Sequence, residues 1–179
     1  MSLVVGPLHL FALLLVISGA DKIGDPTAAN TAMREAGLVG KRRAWSAAGR
    51  ALGAVEVVVG AAVLAFGGVV PALAMAAVFL GFGVFLVVLQ RRAAGVSCGC
   101  FGSSSAPPGI SHLVIDVAAA ATGLVAAATG APDLTAVLDE GVVSFATHVV
   151  LISVGAALLI AVSGVFEDVK NQREVLRSS

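Results

Sequence analysis

The sequence predicts an all-α fold, a polytopic bundle of membrane-spanning helices. Three observations carry that expectation. Hydrophobic residues make up 58% of the 179 and charged residues only 12%, about half the charged share usual in soluble domains. The mean hydropathy is +1.00. The apolar residues also fall in five blocks, most of them close to the roughly 20 residues that a helix needs to cross a bilayer. A soluble chain of this composition would have too little polar surface to show water. The lipid bilayer is therefore its first partner, and a net charge of zero implies no nucleic-acid partner.

The first span runs about Leu3 to Ala20. Met1 to Leu8 holds no Lys or Arg, so the charged start of a cleavable signal is missing and the run reads as a helix. The second runs about Ala51 to Phe66 and is joined through Gly67-Gly68 to the third, about Val70 to Leu89, which predicts a tight hairpin. Pro71 suits the first turn of that third helix. The fourth follows Pro107-Pro108-Gly109 and runs Ile110 to Thr129; the fifth runs about Val142 to Phe166. A tail helix over Val165 to Leu176 continues it. Abundant Gly and Ala are what close helix packing in membranes uses.

The one long loop, Asp21 to Arg50, predicts a short helix. Asp25 can cap it, Pro26 suits its first position and Gly37 can end it. Ala29, Met33 and Ala36 recur at helical spacing, the pattern of a helix lying on the membrane surface; the alternative is a solvated loop.

Charge sets the expected orientation. Lys22, Arg34, Lys41, Arg42, Arg43 and Arg50 lie in the first loop, Arg91 and Arg92 after the third span, and Lys170, Arg173 and Arg177 in the tail, which is the whole supply of 11. With five spans all three segments share one face. The positive-inside rule makes it cytoplasmic, with the N-terminus outside and the C-terminus inside the cell membrane.

Both cysteines sit in Cys98-Gly99-Cys100-Phe101-Gly102, on that positive face. Gly99 permits the sharp bend that a bridge between residues two apart requires. A strained disulfide is a labile, reactive one. Two thiolates also make half of a copper(I) or zinc site, lacking further ligands. A third possibility is two inert thiols. Ionisable side chains inside spans are functional candidates by default. Glu56 and Asp116 both enter from the cysteine side at about 9–10 Å depth, counting 1.5 Å per residue. Lys22 stands at the same end. A Lys22–Glu56 pair with Asp116 nearby would place a proton-handling group below the thiols, or else a structural ion pair. His112, at the start of the fourth helix, is a thiol-tuning residue or third metal ligand, against a plain interfacial histidine. His9 and His148 enter from the opposite face; a haem or quinone contact is the sharper reading and a packed, hydrogen-bonded pair the plainer one. Phe79, Phe82 and Phe85 form a stripe for packing or lipid contact. No cofactor is implied.

These residues together resemble the MauE/DoxX-like family of redox-associated membrane proteins. Ser18-Gly19, Lys22 and Asp25-Pro26 are similar to the family's exit from its first helix, and Gly53, Glu56 and Gly60 to its second-helix pattern. Cys98-Gly99-Cys100-Phe101-Gly102 is similar to the MauE hallmark. The resemblance covers about Leu3 to Gly130. It implies a four-helix domain over residues 1–130, to which 131–179 adds a transmembrane helix and cytoplasmic tail. It also implies a role in methylamine utilisation, namely disulfide or cofactor maturation of a partner protein. Cys98 and Cys100 would be the redox pair of a thiol–disulfide oxidoreductase-like protein, supported by Lys22 and Glu56. A thioredoxin-like protein is the typical partner, with homo- or hetero-oligomers also open. The fourth helix departs from the pattern: it reads His112 to Asp116 where the family often has an Arg-Asn pair. The competing functions are membrane handling or transport of copper or zinc, and a non-catalytic assembly subunit. A cytoplasmic cysteine face also conflicts with delivering disulfides to exported proteins. It favours passing reducing equivalents from a cytoplasmic donor, or metal handling.

Overall fold

A computed structural model describes residues 4–38, 47–92, 109–130 and 133–178, with side chains as far as Val162. Among these residues the chain is helical throughout: α1 (Val5–Gly24), α2 (Thr27–Glu35), α3 (Ala48–Phe66), α4 (Val69–Arg92), α5 (Ile110–Thr129), α6 (Leu134–Leu138) and α7 (Val142–Ser178). Five of them are long and apolar enough to cross a membrane, α7 through its stretch Val142–Val162. The chain is a polytopic membrane helix bundle, as its composition predicts.

Where helices start and stop follows local chemistry. Helix α1 runs past the expected end at Ala20 to Gly24. It halts where Asp25 turns extended, φ −129° and ψ 94°, because Pro26 disfavours helical backbone in the residue before it. Lys22 therefore lies inside the last turn of α1 and not in the loop. The Asp25 carboxylate accepts the Thr27 amide at 3.0 Å. The hydrogen bonds from Thr27, side chain first, hold that carboxyl below its ordinary range. Gly37, at φ 72°, ends the turn after α2 in the left-handed region that Gly enters without cost. The α3–α4 connection is as short as expected, with Gly67 and Gly68 both at positive φ. Helix α6 has no counterpart among the expected elements. Asp133 caps it by accepting the Ala136 amide at 2.9 Å. The fifth span and the tail helix form one continuous element, which at 37 residues is about 55 Å long and overshoots a bilayer.

The bundle is two tight helix pairs, α1 with α3 and α4 with α5, with α7 laid against α1. Lipid offers no hydrophobic drive between helices, so close approach through small residues does the work. At the first crossing Gly19 faces Gly53. A methyl group at either would lie 2.5 Å from the other's carbonyl oxygen, well inside van der Waals contact. Gly60 meets Ala12 in the same way further along. In the second pair, Gly123 fits against Ala72 and Ala76. Leu8, Leu15, Met75 and Phe79 fill the core between the pairs. Phe11, Phe79 and Phe82 pack edge to face, with ring centroids 5.9 and 6.2 Å apart, so Phe79 and Phe82 of the aromatic stripe serve packing. Helix α2, expected as a helix through the spacing of Ala29, Met33 and Ala36, turns most of that face to the protein. It buries Ala29, Ala32 and Ala36, and Ala32 and Ala36 rest on Leu86 and Leu89 of α4. Arg92 then donates to the Ala36 carbonyl at 3.0 Å. That bond ties the first loop to the end of α4 from which the cysteine segment departs.

A buried ion cluster in the helix bundle

The Gly19–Gly53 crossing positions the charged pair. One turn beyond it on α1 is Lys22, and one turn beyond it on α3 is Glu56. A methyl group on Gly53 would lie 2.9 Å from the Cβ of Lys22, and one on Gly19 2.9 Å from the Cβ of Glu56, so only glycine lets the two stems pass. Lys22 Nζ donates to Glu56 Oε2 at 2.9 Å, with the side chains 4% and 0% exposed. Lys22 Nζ also donates to the Ser18 hydroxyl, one turn back on α1. The ammonium stands 5.6 Å from the centroid of the Phe82 ring, within cation–π range. Serine at i−4 and a phenylalanine from α4 thus complete the lysine's surroundings. Ser18 is legible by its spacing from Lys22. Phe82 is not, because it arrives through the packing of a different helix.

Asp116 of α5 is buried and within electrostatic reach of Lys22. Its Oδ2 and the Oε1 of Glu56 have no hydrogen-bond partner among the described residues. Two carboxylates thus converge on one ammonium, a cluster with acceptor capacity to spare. Asp116 also borders a groove of about 340 Å³ between α4 and α5. His112 is buried one turn earlier on α5, its Nδ1 3.5 Å from the Ser111 hydroxyl. Cys98 and Cys100 lie outside the described residues. In the sequence, Cys98 is six residues past Arg92 and Cys100 nine before Gly109.

A cavity of about 320 Å³ lies between α2 and α4, with Lys22 of α1 and Leu52 of α3 in its wall. Its wall is apolar, from Met33, Leu52, Val78, Phe82 and Phe85, with Lys22 the charged residue among its lining. At the other end of the molecule His9 Nδ1 and His148 Nε2 lie 2.9 Å apart, both buried, with the rings edge to face. They are the packed, hydrogen-bonded pair of the plainer reading. Among the described residues no three His, Cys, Asp or Glu side chains gather as metal ligands.

The family model described as methylamine utilisation protein MauE matches residues 2–131. The chain belongs to the MauE family. That match spans α1 to α5, including every member of the Lys22 cluster and both cysteines, and stops before α6 and α7. No curated protein and no solved structure matched the chain. The His9–His148 bond therefore joins the MauE-matching part of the protein to the added helix.

Proposed function

We propose that the chain is a membrane thiol-redox or maturation factor of the MauE type, acting through Cys98 and Cys100. The observation that supports this most is the buried Lys22–Glu56 pair with Asp116 beside it, at the end of the bundle from which the cysteine segment leaves. Thiol–disulfide exchange needs a thiolate to attack and a proton for the departing sulfur. A cluster of two carboxylates and one ammonium, with two carboxylate oxygens still open, can take up and return that proton. Lys22, Glu56 and Asp116 are positioning and proton-handling residues in this reading, and His112 tunes the nearer thiol. The client is a protein that matures through its cysteines, and a thioredoxin-like partner would exchange electrons with the pair. The arginine and lysine distribution supports a cytoplasmic cysteine face.

The test is differential alkylation in membranes after treatment with oxidant or reductant. Cys98 and Cys100 should be blocked together after oxidation and labelled together after reduction. Thiols that label fully under both conditions would sink the proposal. A membrane-impermeant reagent applied to intact cells reads the sidedness in the same experiment.

A further inference from the structure

We propose that the cavity between α2 and α4 holds one acyl chain of an anionic phospholipid, whose phosphate is bound by arginines at the rim. The wall selects an apolar occupant. Met33, Leu52, Val78, Phe82 and Phe85 line it. Lys22, the charged residue among the lining, is already bonded to Glu56 and to Ser18, so a ligand need supply it nothing. A hydrocarbon chain loses no hydrogen bond on entering such a space, whereas a polar head would be stripped of water there. The shape suits a chain. The lining positions on α4 run from Ala77 to Phe85, about 12 Å along the helix at 1.5 Å per residue, and a volume of about 320 Å³ admits one chain but not a whole lipid. Ala77 and Gly81 are exposed on a helix long and apolar enough to span the membrane. The cavity therefore opens sideways toward the bilayer, which supplies the chain.

Charge at the rim selects the head. Leu38 lines the cavity, and a methyl group on the neighbouring Gly37 would lie 2.8 Å from a guanidinium nitrogen of Arg92. Met33 also lines it, and the next residue is Arg34, in the last turn of α2. Arg91 and Arg92 make the last turn of α4. All three arginines are exposed. Arg92 gives one hydrogen bond to the Ala36 carbonyl, and a guanidinium has five donors. Glu35 is the carboxylate beside them, 3.6 Å from Arg34 and largely solvated, and an exposed pair of that kind holds little. Three cations against one carboxylate leave the rim positive. Arginine grips phosphate through paired donors, and basic pockets between membrane helices bind anionic headgroups. Such a lipid would bridge α2 and α4 through its head while its chain fills the gap between them. The site uses neither cysteine, so it stands apart from the thiol-redox reading.

Head and chain can be tested separately. Native mass spectrometry of the full chain, titrated in detergent with dioleoyl phosphatidylglycerol or dioleoyl phosphatidylcholine, counts the bound lipid. We expect one phosphatidylglycerol to bind at least about tenfold more tightly than phosphatidylcholine. Arg34→Gln/Arg91→Gln keeps the Arg92 bond to α2 and should abolish that preference. Gly81 lines the cavity, and a methyl group there meets nothing within 4 Å, so Gly81→Phe fills the space without disturbing the helix pairs. It should weaken phosphatidylglycerol binding at least about tenfold, because several methylenes lose their burial. Val84→Phe, on the α4–α5 groove, should leave binding unchanged. Equal affinity for the two lipids, a preference that survives the arginine changes, or native binding by Gly81→Phe overturns the proposal.

Discussion

Replacing Lys22 by Met breaks the buried ion pair, and its cost follows from the geometry. An exposed pair contributes at most about 1 kcal/mol, but these side chains are 4% and 0% exposed. At the observed 2.9 Å and an effective dielectric of about 20, the attraction is roughly 6 kcal/mol. Burying both charges offsets most of it, so the net worth of the pair is small while the loss of one partner is large, about 3–5 kcal/mol. Lys22→Met should sit at the upper end, because it leaves the Glu56 and Asp116 carboxylates together with no cation. Glu56→Met should cost less, since Asp116 remains within reach of the ammonium. The double variant Lys22→Met/Glu56→Met should cost less than Lys22→Met alone, since only Asp116 is then left without its cation. Unfolding in mixed micelles of rising SDS fraction, followed by circular dichroism, gives the four free energies of the cycle. If each single change costs under about 1 kcal/mol, or the double costs their sum, the pair is not the coupled, buried unit described here.

Two further expectations concern the helix contacts. Gly53→Ala puts a methyl 2.5 Å from the Gly19 carbonyl oxygen, so it should destabilise the bundle by about 1–3 kcal/mol, whereas Gly81→Ala, with open space around it, should be neutral or stabilise by up to about 1 kcal/mol; equal effects in the same SDS titration would refute the close crossing. His148→Phe removes the bond to His9 and should cost about 1–3 kcal/mol. Its mark in hydrogen exchange should be faster opening of α7 with α3 unchanged, and uniform loosening of all helices would show that the bond does not specifically hold α7.

Much of the site can be read from residues alone because a membrane makes charge conspicuous. Among apolar spans, Glu56 and Asp116 stand out, counting residues from each span's end puts them at one depth, and Lys22 falls at the same end. The boundary of α1 is less legible. Asp21 and Lys22 read as the start of a loop, yet the helix continues through them because Glu56 satisfies the lysine and Pro26 supplies the stop. Helix α6 is obscure for a different reason: it is five residues long, too short for a hydrophobic period, and only the Asp133 cap marks it.

Composition and block length determined by themselves that this chain is a polytopic helix bundle with five helices long and apolar enough to cross a membrane. Those properties depend on transfer between water and lipid, which each residue carries regardless of its neighbours. The tertiary structure alone decided that α3 packs chiefly on α1 and not on its hairpin partner α4. It also decided that Phe82 would stand against Lys22, and that a cavity would remain between α2 and α4. Those depend on which small residues meet at a crossing. Gly19 and Gly53 let two backbones come within contact distance, and only when they do so are the lysine and the glutamate one turn beyond brought to 2.9 Å.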